Sequence, residues 1–176
     1  MEIEWKPAAK DDDFLRASKT KQPGRRFREF DLQLDEASSG PRWLEDPRVA
    51  SVVVAGIKSS EEKGLFGLPA WVVMPNHVHL LIEPRRPLAI ITKAIKGSTA
   101  REANLLLGRT GKYFWQDESF DHWIRHEGEF EKVKNYIERN PVAAGLVNEE
   151  RDWPWSSADR AGLRGANHAG LEVGTD

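Results

Sequence analysis

The chain has 176 residues and a mass of 20.0 kDa, which suits one domain with extensions. Its 39% hydrophobic and 31% charged residues describe a globular protein, and the lack of a run of about 18 apolar residues excludes a membrane-spanning helix. The absence of cysteine excludes disulfides, thiolate metal sites and cysteine nucleophiles, and a net charge of −2 gives no global sign of a polyanionic partner.

Met1-Glu2-Ile3-Glu4-Trp5 has neither the basic start nor the apolar core of a secretory leader, so a cytoplasmic location is expected. Residues 1–40 read as an N-terminal arm, partly irregular, with turns at Pro23-Gly24 and Ser38-Ser39-Gly40-Pro41. Asp46-Pro47 then offers an N-cap and a first-turn proline. Val49, Val52, Val53 and Ile57 follow at helical spacing and predict an amphipathic helix over 47–58. The apolar runs Leu65–Val73 and His77–Ile82, joined by Met74-Pro75-Asn76, predict a β-hairpin. Beyond Pro84 and Pro87, Leu88, Ile91, Ile95 and Leu105 line one face of a helix over 88–107, with Lys93, Lys96 and Arg101 facing outward. The aromatic stretch Tyr113–Ile124 predicts extended structure. Phe130, Val133 and Ile137 mark a last helix over 127–140, which Pro141 should end. Trp153-Pro154-Trp155 is expected to dock on the body, and Gly165–Asp176 to form a mobile end.

Local charge departs from the neutral total. Arg16 to Arg28 contains six basic residues and no acid, and Arg85 to Lys112 contains seven basic residues against Glu102 alone. Such stripes present a polyanion-binding face or a solvated helix surface.

Two short patterns carry chemistry. In His77-Val78-His79 the side chains at i and i+2 of a strand share one face, so both imidazoles reach one metal ion while Val78 points into the core. Two core-satisfied or exposed histidines have the same pattern, and a metal would need a third ligand from elsewhere. Tyr136 and Asn140 lie four apart on the last helix and share a face, which sets a phenol beside an amide oxygen able to ligate a hard cation. The alternative is a packed tyrosine and a helix-ending asparagine. Together the two patterns suggest a metal held by two imidazoles and an amide, with a nucleophilic phenol beside it.

Met74-Pro75-Asn76-His77-Val78-His79-Leu80-Leu81 and Tyr136-Ile137-Glu138-Arg139-Asn140-Pro141-Val142-Ala143-Ala144-Gly145-Leu146-Val147 resemble the two signatures of the single-tyrosine HUH transposases. Phe114-Trp115-Gln116 and the Asp121 to Arg125 stretch are similar to the block between them. The likeness is to the REP-associated tyrosine transposases, relatives of insertion-sequence transposases, and spans about residues 41–158. It implies an α+β fold, a central antiparallel sheet flanked by helices in the HUH-endonuclease (ferredoxin-like, RRM-like) architecture. The catalytic domain would occupy 41–150 and a C-terminal extension 151–176. The resemblance further implies that His77, His79 and Asn140 ligate Mg²⁺ or Mn²⁺. Tyr136 would be the nucleophile that cuts single-stranded DNA beside a hairpin through a 5′-phosphotyrosine, nicking and religating for transposition. The family's usual first strand has no clear counterpart in residues 1–40, where Arg28-Glu29-Phe30-Asp31-Leu32 is the candidate replacement.

Arg85, Arg86, Lys93, Lys96, Arg101 and Lys112 are the expected phosphate contacts. This basic segment follows the histidine strand directly, so its start is expected near the metal. Tyr113, Phe114 and Trp115 either stack on unpaired bases or pack in the core. The expected partner is single-stranded or hairpin DNA, with no membrane. The protein would be a monomer or homodimer, cytoplasmic and nucleoid-associated when bound to DNA. Two readings compete: a domesticated, non-cutting hairpin-DNA-binding protein, and an unrelated metallohydrolase that uses water in place of Tyr136.

Overall fold

In the computed structural model, which describes residues 1–5, 41–116, 120–124 and 127–158, Asp46 caps helix α1 (Pro47–Glu62) as its sequence predicts. The Asp46 carboxylate accepts from the Arg48 backbone N–H at 2.9 Å and from the Arg48 guanidinium. Those bonds to Arg48 hold its pKa down at about 2. Val49, Ala50, Val53 and Ile57 bury one stripe of α1. Gly64, at φ +71°, ends the turn that follows.

Strands β1 (Glu2–Trp5), β2 (Phe66–Val73), β3 (Val78–Pro84) and β4 (Phe120–Trp123) form one sheet in the order β2-β3-β1-β4. β2 and β3 are the expected antiparallel hairpin, closed by the Met74 N–H donating to the His77 carbonyl at 2.9 Å. β1 lies between β3 and β4 and runs parallel to both, so the sheet of this α+β fold is antiparallel at the hairpin and parallel about β1. Residues 2–5 thus supply a central strand from within the stretch read as an irregular arm. Four alternating residues are too short a pattern to stand out in a sequence. The Arg28–Leu32 segment, the 23–24 and 38–40 turns and residues 165–176 lie outside the described residues. Of the extended stretch expected over 113–124, only Phe120–Trp123 is a strand among the described residues.

Alternation in β3 divides the interior in two. Val78, Leu80 and Ile82 pack with α1 and with α2 (Leu88–Leu106), while Leu81 packs with Ala70, Val72, Met74 and Ile137 beneath α3 (Glu127–Ala143). Two helices therefore cover one sheet face and the third covers the other. On α2 the buried stripe is Ile91, Ile95, Thr99 and Ala103, which leaves Leu105 off the stripe and 70% exposed, against the sequence expectation. Where α1 crosses α2, a Cβ on Gly56 would lie 2.3 Å from Thr99 Cγ2. Gly56→Ala is therefore expected to destabilise the protein by about 1–3 kcal/mol, read as a lowered midpoint in urea.

α3 continues three residues beyond Asn140, with Pro141 buried in its last turn. The helix ends at Gly145, φ +69°, where the Gly145 N–H donates to the Val142 carbonyl and the Leu146 N–H to the Pro141 carbonyl. Pro141 is buried in this last turn, where Asn140 keeps helical geometry against the bias that a following proline imposes. The chain then returns to the outer edge of β2 as a strap. The Val73 N–H donates to the Trp155 carbonyl, the Ser157 N–H to the Trp71 carbonyl, and Trp153 Nε1 to the Val73 carbonyl. The expected docking of Trp153-Pro154-Trp155 is thus a strand-edge contact, and it covers an edge that Pro69 and a register shift already interrupt. Among the described residues no helix is long and apolar enough to cross a membrane.

Candidate active site

The hairpin turn delivers His77 at the mouth of β3 and His79 one residue into it, on the sheet face beneath α3. Both rings are almost wholly buried, 3% and 1% exposed, and their Nε2 atoms stand 2.8 Å apart. The ring planes are nearly perpendicular at 85°. From α3, Asn140, 1% exposed, brings its side-chain amide to 3.4 Å from His79 Nε2 and donates through Nδ2 to Tyr136 Oη at 3.2 Å. The Tyr136 ring lies edge-on to His79 with centroids 6.1 Å apart. The four residues picked from two distant motifs therefore form one cluster. Ile137, buried between them in sequence, anchors the helix to the sheet.

The donor chemistry fits a divalent cation. Two imidazole nitrogens 2.8 Å apart share one proton or, as adjacent ligands with bonds of about 2.0–2.1 Å, one metal ion. Burial first, then His79 and the positive amino terminus, push the His77 pKa well below its usual value. The ring is therefore neutral, the form that ligates. Asn140 Oδ1 is buried and accepts no hydrogen bond. Half a turn of the amide exchanges it with Nδ2 and aims it at the imidazole pair without moving the helix. Among the described residues no group of three or more His, Cys, Asp or Glu is placed to hold a metal, and Asn140 is the polar side chain that meets the pair from α3.

A family model described as "Transposase IS200 like" matches residues 42–140, which include every member of this cluster. The chain belongs to the IS200-like transposase family. It is 32% identical over 103 residues to the REP-associated tyrosine transposase of Escherichia coli strain K12, covering 57% of this chain and 59% of that one. A putative REP-associated tyrosine transposase of Haemophilus influenzae is 28% identical over 106 residues, 54% and 60% of the two chains. The matches thus span about three fifths of the length of these curated relatives. A solved REP-associated tyrosine transposase bound to a REP hairpin superposes with a TM-score of 0.51 at 27% identity, covering 71% of this chain and 76% of that one. The α+β HUH architecture expected from the two motifs is therefore the fold of this transposase-family chain.

The expected DNA contacts do not gather at the cluster. β3 runs away from His77, and its seven residues at about 3.3 Å each carry Arg85 and Arg86 about 20 Å off, at the far end of the strand. This corrects the expectation that the basic segment begins near the metal. Lys93, Lys96 and Arg101 lie on α2, in the layer across the sheet from Tyr136. Lys96 Nζ donates to the Gln116 carbonyl at 2.6 Å and so ties the following loop to α2. Of the three aromatics there, Phe114 is buried and stacks on Trp43, and Trp115 donates to Thr99 Oγ1 at 2.9 Å, while Tyr113 is 87% exposed.

One member of the site went unassigned in the sequence. Asn76 Oδ1 lies 2.7 Å from His77 Nδ1 and accepts its proton, which leaves the Nε2 lone pair facing His79. Its only signal was its place next to the first histidine. Asn76→Ala should weaken Mn²⁺ affinity about 10-fold or more, measured by calorimetric titration, because the ring loses the partner that fixes its tautomer.

Proposed function

We propose that this chain is a metal-dependent tyrosine transposase that nicks and rejoins single-stranded DNA beside a hairpin. The observation that carries the reading is the single Asn140 amide bridging Tyr136 Oη and His79 Nε2 at 3.2 and 3.4 Å. It joins a nucleophile to a ligand pair across 61 residues of sequence. Tyr136 Oη attacks the scissile phosphorus, the P–O3′ bond breaks, and a 5′-phosphotyrosine and a free 3′-OH result. The phenol proton leaves to solvent, and the departing 3′ oxygen takes one up.

The problem this site must solve is twofold: a phosphodiester repels nucleophiles, and a phenol of pKa near 10 is mostly protonated at pH 7. The hydrogen bond from Asn140 Nδ2 to Tyr136 Oη holds the phenol beside the imidazole pair until the amide turns its Oδ1 toward a metal. Mg²⁺ or Mn²⁺ held by His77, His79 and Asn140 would draw charge from the phosphate oxygens and fix the phosphorus for in-line attack. The covalent ester conserves the energy of the broken bond, so a second 3′-OH reverses the step without a nucleotide cofactor. Exposed Lys93, Arg101 and Lys112, with Arg85 and Arg86, supply phosphate contacts, and Tyr113 a stacking surface for an unpaired base.

The test is a library of labelled single strands carrying hairpins, incubated with protein and Mn²⁺ and resolved on a denaturing gel. A protein-linked band that needs the metal is the expected result. Hairpin binding across the library with no linked band in any metal would overturn the cutting reading in favour of a non-cutting DNA-binding protein.

A further inference from the structure

Helix interiors disfavour glycine relative to alanine, so each helical glycine calls for a reason. Gly56 has one inside the molecule, the close crossing with Thr99. Gly97 of α2 has none: it is exposed, its backbone is ordinary helix, and a Cβ there would meet nothing within 4 Å. The space that Gly97 keeps open faces outward.

The surroundings indicate what fills it. Ile90, Lys93, Gly97, Arg101 and Leu105 recur at three- and four-residue spacing and are all exposed, opposite the buried stripe of α2. Lys93 and Arg101 stand one turn to either side of Gly97, about 12 Å apart along the axis. Among the described residues the acid of α2 itself, Glu102, lines the groove between α1 and α2 beside Val52 and Ser59. Lys112, exposed, lies by the C-terminal end of α2, where its carbonyl accepts from Asn104 Nδ2 at 2.6 Å. A second copy of the same face would be repelled by these cations, whereas a polyanion would be held.

We propose that the outward face of α2 seats a DNA phosphodiester backbone, and that Gly97 is where that backbone passes closest to the helix. The proposal deepens the DNA-binding reading and rests on it. It sets the seat on the sheet face away from His77, His79 and Tyr136. Lys93 and Arg101 then grip phosphates on either side of a gap in the side-chain surface. Exposed Ile90 and Leu105 meet the sugars.

The test reads two quantities that a merely structural glycine would move together. Gly97→Ala, Gly97→Leu and Lys93→Ala proteins are melted, and their affinity for a fluorescein-labelled DNA hairpin with a random-sequence stem is followed by anisotropy over a salt series. Gly97→Ala should raise Tm by about 2–4 °C through helix propensity, yet weaken hairpin binding. Gly97→Leu should weaken it about 10-fold or more and flatten the salt dependence, as phosphates move away from Lys93 and Arg101. Lys93→Ala should lower the salt slope by about one. If Lys93→Ala weakens binding while both Gly97 variants bind as wild type, the close approach is wrong and the basic helix remains a DNA contact. Unchanged binding in all three variants, or none in the wild type, overturns the DNA reading of α2 and this proposal with it. Should Gly97→Leu fold poorly, Gly97→Ala decides alone.

Discussion

A Tyr136→Phe protein is expected to bind a DNA hairpin as the wild type does and to form no covalent adduct. The substitution removes one oxygen and keeps the ring, which packs half-buried against the cluster of Ala70, Val72 and Ile137. Its structural cost is the lost acceptor of one hydrogen bond from Asn140, worth about 1 kcal/mol. Its chemical cost is the nucleophile itself. Where other covalent enzymes lose theirs, rates fall by about 10⁶-fold, so no linked band should appear on a denaturing gel in a time course that saturates the wild type. Adduct formation at the wild-type rate would show that another group attacks the phosphate, and a water-using metallohydrolase would become the better reading.

The second large effect is expected from the histidines. His77→Ala and His79→Ala should each reduce Mn²⁺ affinity beyond the ~10–100-fold that loss of an outer-shell partner costs, because each removes a donor outright. Adduct formation should vanish with the metal, and EDTA should do the same to the wild type. Hairpin affinity should persist in both cases, since the cations of α2 lie across the sheet. Both rings are buried, so each substitution also leaves a cavity and costs about 1–3 kcal/mol of stability, which thermal melts would separate from the loss of metal. Cleavage that survives both substitutions and EDTA would remove the metal from the mechanism.

The parts of this site legible in the sequence are those set by short-range geometry. The i, i+2 spacing of His77 and His79 fixes a shared strand face, and the i, i+4 spacing of Tyr136 and Asn140 fixes a shared helix face. Nothing local says that those two faces meet. Packing of Ile137 against Val72 and Leu81 brings them together. Three further features depend on the folded geometry rather than on residue spacing and were hidden for that reason. Asn76 acquires a role from a 2.7 Å contact with its neighbour's ring, which adjacency in sequence alone does not dictate. Pro141 lies buried inside the helix's last turn, a place its local sequence disfavours. The basic helix sits behind the sheet because β3 carries the chain away from the histidines before α2 begins. Leu105 shows the limit of periodicity near a helix end, where one residue of drift moves a leucine from core to solvent.

The strap has a consequence for how the chain tolerates change. Ser157 receives at Oγ the Trp71 N–H of β2 at 3.1 Å and donates from it to the Glu138 carboxylate of α3 at 3.1 Å. Glu138 also pairs with Lys134 at 2.7 Å. Glu138 lies midway between Tyr136 and Asn140, so the segment that seals an open strand edge is also a brace on the helix that bears Tyr136. Self-association through β2 and misalignment of the Tyr136 ring thus share a single safeguard, made of residues outside the histidine and tyrosine cluster. A chain shortened ahead of Trp153 would keep His77, His79, Tyr136 and Asn140 and lose both the shield against sticking to its neighbours and the brace that sets the helix of Tyr136 and Asn140.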